Sequence, residues 1–152
     1  MKLGFNFLSK KELKPIFAAM EKQFGIDQEI DGFWHMNNQG KLYLAERSIE
    51  LAPLKSLNTK SIGIYVGEWR DGVFRFSIEG SQVFGPLCKH HVLEVTKEEL
   101  TVWIRGEDFP YEGDVYGYVV IKNRKDYLGC GKIAQKKVWN FIPKGRRVKI
   151  IE

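Results

Sequence analysis

The chain has 152 residues, of which 43% are hydrophobic and 13% aromatic, and its formal net charge is +5. This length suits one large or two small domains, and the apolar content excludes a disordered chain. No apolar run approaches the roughly 18 residues of a membrane span, and no secretory signal is expected at the start. Cys88 and Cys130 form no CxxC pair, so we expect a reduced, cytoplasmic protein with buried thiols.

The first predicted element is a helix. Apolar residues recur at helical spacing from Leu13 to Phe24, and a capping box begins at Ser9. This pattern predicts a helix over residues 9–24. Pro15 lies too deep in it for an unbroken helix, so we expect a kink or a restart there.

A β-hairpin is predicted next, because two apolar-aromatic runs flank the turn residues Asn38-Gln39-Gly40. A short turn of helix over Glu46–Leu51 and a domain boundary near Asn58–Ser61 are expected to follow. Residues 1–60 therefore form a small N-terminal α/β domain in this interpretation.

From Ile62 onward the sequence is typical of short strands. "IGIYVGEW" and "VFRFSI" flank an Arg-Asp-Gly turn, and "YGYVVI", "YLGCGKI", "KVWNFI" and "RRVKII" follow. A helix interrupts them, with a capping box from Thr96 to Glu99 and an end at Gly106. Many short strands with few helices predict a closed barrel or sandwich, and the whole chain is expected to be α+β.

The charge is unevenly distributed. Between Lys122 and Lys149 ten basic residues stand against Asp126 alone, so this segment carries +9 and the rest of the chain −4. Such asymmetry favours a polyanionic partner. Seven acidic residues just upstream, between Glu94 and Asp114, oppose two basic ones and are interpreted as a solvated face.

No catalytic or metal site is predicted. The histidines of the "CKHH" segment at Cys88–His91 would point to opposite faces of a strand and could not easily share an ion. Cys130 lies between glycines in a predicted strand, where a buried thiol is expected, and His35 is interpreted as a surface or half-buried residue. GxSxG, Walker A and GxGxxG motifs are absent.

Aromatic residues alternate with the basic ones in the last strands. Lys137, Trp139 and Phe141 would share one face of a strand, and Val138, Asn140 and Ile142 the other. One set must be core. We expect Trp139 and Phe141 to be mainly structural and the lysines and arginines to contact phosphates. Basic residues on edge strands also discourage aggregation, but that role explains only a few of them.

Two motifs carry a resemblance. "YLGCGKI" followed by "NFIPKGRRV" resembles the "LGxGK…N(Y/F)xPKxxR" ending of the C-terminal RNA-binding PUA-like domain in RsmF-type members of the Nol/Nop/Sun (Fmu) family of RNA cytosine-5 methyltransferases. "GIYVGEW", "FRFS", "LTVWIRGE" and "GYVVI" are similar to earlier parts of that domain, in the same order. The similarity covers about Ile62 to Ile151.

The resemblance implies a PUA-like mixed β-barrel over residues 61–152 and binding of structured rRNA or tRNA in ribosome biogenesis or RNA modification. The expected RNA-binding residues are Lys122, Arg124, Lys125, Lys132, Lys136, Lys137, Asn140, Lys144, Arg146 and Arg147. For Asn140, which precedes the Pro-Lys turn, fixing the backbone is the favoured role over touching RNA.

A methyltransferase of this family also needs a domain that binds S-adenosylmethionine and two catalytic cysteines. The chain has no matching Gly-rich loop, and its cysteines stand in other contexts. It is therefore similar to stand-alone Nol/Nop/Fmu-family ribosome biogenesis proteins, without enzymatic activity or cofactor. The alternatives are an interaction module that recruits a separate RNA methyltransferase or assembly factor, through the helix at 96–105 or the N-terminal domain, and an enzyme acting on a base.

Overall fold

Helices and short strands alternate in the part of the chain that this computed structural model describes, residues 7–45 and 63–148. The helices are α1 (Lys10–Phe24), α2 (Ile78–Phe84) and α3 (Lys97–Ile104). The strands are β1 (Phe33–Met36), β2 (Lys41–Ala45), β3 (Ile64–Arg70), β4 (Val73–Phe76), β5 (Val92–Glu94), β6 (Phe109–Pro110), β7 (Gly117–Asn123), β8 (Asp126–Ala134) and β9 (Lys137–Trp139). None of these helices is long and apolar enough to cross a membrane. The helical turn expected over Glu46–Leu51, the boundary near Asn58–Ser61 and the end of the "RRVKII" segment lie outside the described residues.

Helix α1 begins at the predicted capping box. The Ser9 hydroxyl accepts a hydrogen bond from the Glu12 backbone N–H at 3.1 Å, and the Glu12 carboxylate accepts one from the Ser9 N–H at 3.0 Å. The restart that was expected as one possibility at Pro15 is wrong, because a single helix runs through this residue. A proline in this position removes one backbone hydrogen bond, while the buried face that includes Met20 and Phe24 holds the helix against the core.

The first sheet is antiparallel, in the order β1-β2-β3-β4. Its β1–β2 hairpin confirms the sequence prediction, and the Asn37 side chain accepts hydrogen bonds from two backbone N–H groups of the turn. Strands β3 and β4 were expected in the barrel with the later strands, but β3 pairs with β2. A free β2 edge would leave backbone groups unpaired. The first sheet therefore combines residues from both sides of position 60, and the division into 1–60 and 61–152 stays a prediction.

The second sheet has the order β5-β7-β8-β9-β6 and curls into a half-barrel. Strand β5 pairs with β7 in parallel and the other pairs are antiparallel. The sheet is thus mixed, and the α+β class is confirmed. The end of the described chain differs from expectation, since Lys144–Arg146 form a 3₁₀ turn and no strand continues through Val148.

Helix α2 was missed by the sequence prediction, which had a strand up to Ile78 and no element after it. It begins at Ser77, whose hydroxyl accepts from the Gly80 N–H at 2.9 Å and donates to the Tyr65 carbonyl at 2.5 Å. Farther along the helix, the buried Ser81 hydroxyl accepts a 2.8 Å hydrogen bond from the Gly129 N–H of β8. The helix is therefore bonded to the first sheet on one side and to the second sheet on the other.

Two apolar cores lie on opposite faces of the second sheet. Val120 and Cys130, which pair across β7 and β8, belong to the core formed with α1, α2 and the first sheet. Val119 and Ile133 face the other core, around the fully buried Trp103 of α3. The Trp103 indole N–H donates to the Leu128 carbonyl at 2.7 Å, so the buried polar atom is satisfied.

Asn140 fixes the segment after β9 to the end of α3. Its amide nitrogen donates to the carbonyls of Trp103 at 2.8 Å and Glu107 at 3.1 Å, and its side-chain oxygen accepts from the Ile142 N–H at 2.8 Å. Its own backbone N–H donates to the Asp108 carboxylate at 2.7 Å. These four bonds give Asn140 the backbone-fixing role that was favoured from the sequence.

Replacing Asn140 by alanine is expected to destabilise the fold by about 1–3 kcal/mol, because three backbone groups lose their partner and two of these bonds are partly buried. For a chain of this size each kcal/mol corresponds to a fall in melting temperature of about 2–4 °C, which thermal denaturation would measure. Gln82→Ala, on the exposed side of α2, is the control and should change stability by less than about 0.5 kcal/mol. Equal melting temperatures for the two variants would contradict the role given to Asn140.

Candidate nucleic-acid interface

Three side chains form a row across the middle strands of the second sheet, and of these Lys132 is exposed, Trp139 is half-buried and Tyr118 packs partly against the first core. Tyr118 of β7 is opposite Lys132 of β8, which is opposite Trp139 of β9. Residues directly opposite each other in a sheet point to the same face, and the Lys132 ammonium lies 5.5 Å from the centre of the Tyr118 ring. Lysine and arginine residues that interleave with aromatic rings are typical of surfaces that bind nucleic acid.

In the last strand and the segment after it, the side chains that were expected to be mainly structural are the ones that are partly exposed. Val138 and Ile142 are buried and Asn140 bonds to the α3 end, so Trp139 is only half-buried and Phe141 is 37% exposed. These two rings are therefore not core residues. The Lys137 ammonium lies 3.7 Å from the centre of the Trp139 ring and 3.5 Å from the Asp108 carboxylate.

The row continues onto the first sheet through Phe141. Its ring centre lies 6.0 Å from that of Tyr118 and 4.6 Å from the Arg75 guanidinium of β4. Arg75 also donates to the Glu68 carboxylate at 3.0 Å, which fixes its orientation. We call the whole surface the cation–aromatic face; it consists of Arg75, Tyr118, Lys132, Lys137, Trp139 and Phe141.

Three of the predicted basic residues lie away from this face, at the β7–β8 turn. Lys122 lies 5.5 Å above the Tyr127 ring, and the Arg124 backbone N–H donates to Glu94 at 3.3 Å. Lys125 is exposed in the same turn. Strand β8 separates them from Lys136, and its nine residues span roughly 25 Å at about 3.3 Å each. The ten predicted residues thus do not form one patch.

The remaining predicted residues lie near the β8–β9 turn and in the last described segment. Lys136 and Lys144 are exposed. Arg147 is half-buried, donates from its Nε to the Ile142 carbonyl at 3.0 Å and packs on Gly106, where an added Cβ would lie 2.2 Å from its Cδ. Its contacts are therefore structural.

Arg146 is paired with Glu79 of α2 at 2.5 Å. Burial acts to raise the pKa of the Glu79 carboxyl, but the hydrogen bond and positive charge of Arg146 outweigh it and lower the pKa below its usual value. Glu79 is therefore ionised at neutral pH. Both side chains keep a third or more of their surface exposed, and such pairs contribute only about 0–1 kcal/mol, so Arg146 is free to exchange its partner for a phosphate at little cost.

Sequence reasoning missed Arg75 and Tyr118. Arg75 lies outside the basic segment, in "VFRF", where alternation with the buried Phe74 and Phe76 already indicates an outward arginine. Tyr118 precedes three consecutive buried residues, so alternation gives no signal for it. That both lie beside Phe141 depends on how the two sheets meet, for which the local pattern has no signal.

The cysteines and histidines that were considered as catalytic or metal-binding groups lack the environment that such roles need. Burial raises the pKa of both Cys88 and Cys130 to about 12, so neither thiol is a thiolate at neutral pH. The imidazoles of His90 and His91 do not point apart as expected, since their Nδ1 atoms are 2.9 Å from each other. Within residues 7–45 and 63–148 no three His, Cys, Asp or Glu side chains are grouped as metal ligands would be.

Comparison with known proteins was consistent with the motifs. Residues 90–148, which hold α3 and the whole second sheet, match the family model described as the PUA domain of methyltransferase RsmF. Two curated relatives, named ribosomal RNA small subunit methyltransferase F, come from Vibrio cholerae serotype O1 strains M66-2 and El Tor Inaba N16961. Each is 26% identical over 145 residues, covering 94% of this chain and 30% of the relative.

The chain thus spans less than a third of the curated proteins it matches. The family match contains Asn140, the "LGCGK" strand, every residue predicted to bind RNA and all of the cation–aromatic face except Arg75. The predicted resemblance is confirmed: residues 90–148 of this chain are similar to the PUA domain of methyltransferase RsmF.

Proposed function

We propose that this chain is an RNA-binding module that holds structured RNA on the cation–aromatic face. The observation that carries the proposal is the row formed by Tyr118, Lys132 and Trp139, which continues to Phe141 and Arg75 across the junction of the two sheets. The lysines and arginines supply contacts to phosphates, and the partly exposed rings supply surfaces on which unpaired bases stack.

The contacts of this face suit RNA loops better than a continuous duplex. The edges of bases in an A-form helix are hard to reach, so proteins read a duplex through its backbone and shape and read sequence in loops and bulges. On a stem–loop, the cations of this face would contact the phosphates of the stem, and its aromatic rings would stack on the unpaired bases of the loop. Lys136, Lys144 and Arg146 border it in our proposal and extend the phosphate contacts along the stem.

Ribosomal RNA is the favoured class over tRNA. The curated relatives are named for small-subunit ribosomal RNA, and a region shared with them suits the same kind of substrate. We place the module in ribosome biogenesis or rRNA modification in the cytoplasm, where reduced thiols persist.

The proposed role is non-catalytic. The family match concerns the PUA domain alone. Burial raises the pKa of the half-buried Cys88 and of the buried Cys130, which is the reverse of what a nucleophilic cysteine needs. The module would position RNA, and any methyl transfer would be the work of another domain or protein.

Recruitment of a separate methyltransferase or assembly factor is the second candidate function. It is favoured by Tyr116, which is 80% exposed beside the 39% exposed Val115 in the loop between β6 and β7. Aromatic residues such as tyrosine are enriched at protein–protein interfaces. Purified chain mixed with stem–loop RNA and no other protein separates the two, because direct binding supports the first candidate and its absence the second.

Removing two charges from the cation–aromatic face should reduce the salt dependence of RNA binding. Each phosphate contact contributes about −0.7 to −0.9 to the slope of log K against log salt, so Lys132→Gln with Lys137→Gln should flatten the slope by about 1.4 to 1.8. Fluorescence anisotropy with a small-subunit rRNA stem–loop across a range of salt concentrations would measure it.

Arg124→Gln with Lys125→Gln is the matched control for that measurement, because it removes the same charge at the other end of β8. Its slope should remain close to that of the wild type. If both double variants flatten the slope equally, RNA responds to net charge alone and the face has no special part in binding.

Replacing Trp139 by alanine should weaken binding without altering the salt slope. Stacking of a base on an aromatic ring contributes about 1–3 kcal/mol, which corresponds to roughly 5- to 150-fold in affinity, and it involves no counterion release. The same anisotropy titration provides both quantities, and melting curves establish that the variant is folded. Unchanged affinity in a folded variant would show that no base stacks on this ring.

S-adenosylmethionine should leave the melting temperature unchanged, because a ligand stabilises only a state that it binds. Thermal denaturation over increasing ligand concentration would measure this, with S-adenosylhomocysteine as a second ligand. A saturable rise in melting temperature would refute the non-catalytic role.

A further inference from the structure

A pocket of about 200 Å³ opens beside the cation–aromatic face, where the N-terminal end of α2 meets β3, β4 and the segment after β9. Tyr65 and Phe141 provide aromatic walls, and Trp103 and Gly129 also line it. Pockets that hold drug-sized ligands have about 300–1,000 Å³. This one is smaller, which suits a group the size of one nucleotide base.

Two carboxylate–guanidinium pairs border the pocket. Glu68 is bonded to Arg75 at 3.0 Å and Glu79 to Arg146 at 2.5 Å. A carboxylate has about four acceptor positions, so a single bond from an arginine leaves capacity for a ligand. The Glu68 side chain is 21% exposed and that of Glu79 39%. Glu68 is thus the more shielded acceptor, and shielding from water strengthens its hydrogen bonds.

The base that matches this arrangement has adjacent donors on one edge and acceptors on another. Guanine presents two neighbouring donors, N1–H and the N2 amino group, which a carboxylate accepts together, and its O6 and N7 accept from arginine. Adenine and cytosine each place a ring-nitrogen acceptor beside the amino donor, and uracil flanks its one donor with carbonyls. Those acceptors would face the oxygens of Glu68 and be repelled.

We infer that this pocket takes one unstacked guanine of the bound RNA, with Glu68 accepting hydrogen bonds from the guanine N1–H and amino group. Arg75 supplies a guanidinium that is already fixed against the Phe141 ring at 4.6 Å, and the guanine ring stacks on an aromatic wall. Burial raises the pKa of the Tyr65 hydroxyl to about 12, so Tyr65 remains a neutral donor. The inference rests on the proposed RNA-binding function and adds a base preference to it.

The test uses stem–loop RNAs with uridine loops that differ at one loop nucleotide, titrated against the full chain at one salt concentration. Wild type should bind the RNA with guanine about tenfold more tightly than the other three, the lower range for a good bidentate contact. Glu68→Gln should reduce this preference to less than about twofold, since an amide offers one acceptor where the carboxylate offers two.

Glu79→Gln is the matched control, because it removes the same charge from the same pocket and should keep the guanine preference. Equal binding of all four RNAs by wild type, or an undiminished preference in Glu68→Gln, would overturn the inference and leave the proposed function intact. Loss of the preference in Glu79→Gln alone would overturn the assignment to Glu68. No binding of any of the RNAs would instead refute the proposed function itself.

A second measurement needs no variant and so does not depend on the folding of Glu68→Gln. Guanosine monophosphate added to the wild type should shift the NMR signal of the Trp103 indole N–H, because Trp103 lines the pocket. Uridine monophosphate at equal concentration supplies the same phosphate and should leave that signal in place. Equal shifts for the two nucleotides would contradict a guanine site.

Discussion

The arrangement of the two sheets depends on the close approach of α2 to β3. Gly80 lies so near this strand that an added Cβ would be 1.9 Å from the Val66 carbonyl oxygen, a distance that no side chain can occupy. Ser77, which caps the helix, bonds to the same stretch of strand, and its backbone N–H donates to that carbonyl at 2.9 Å. The helix can therefore lie directly on the strand backbone, which leaves its other side free to bond to β8 through Ser81.

This approach also explains where the candidate binding surfaces lie. With α2 held between the sheets, its first turn brings Glu79 within reach of Arg146, and β4 presents Arg75 to Phe141. Phe141 and Arg146 come from the segment after β9, which Asn140 holds against the end of α3. A side chain from near residue 75 and one from near residue 141 thus meet because two anchors, far apart in sequence, fix the segments that carry them.

Features of the fold with a local cause could be predicted from the sequence. The capping boxes at Ser9 and Thr96 each need residues only three positions apart, and both helices begin there. Helix α2 could not be predicted, because its seven residues have weak periodicity and its stability comes from bonds to Tyr65 and Gly129, which are distant in the chain. The two faces of the last strand could be separated by alternation, but which face is buried depends on Trp103 and the bonds of Asn140.

The candidate site shows the same division. The excess of positive charge identified the basic segment, and the motifs "LGCGK" and "NFIPKGRR" indicated the family. The sequence did not show that Lys125 and Lys136 lie at opposite ends of one strand. Arg147 was grouped with Arg146 by adjacency, although its guanidinium is used within the fold. Charge alone does not distinguish an arginine that stabilises a loop from one that faces solvent.

The second sheet contributes side chains to both cores at once, since Val120 and Cys130 face one and Val119 and Ile133 the other. If the second sheet came apart, both cores would lose side chains that they bury, so the stability of each core depends on the same sheet. Unfolding should therefore be a single cooperative event for the described parts of the chain, even where the sequence suggests two segments. The backbone amides that join β7 to β8 would then be released only when the whole molecule opens, and hydrogen exchange there reports the global free energy of unfolding.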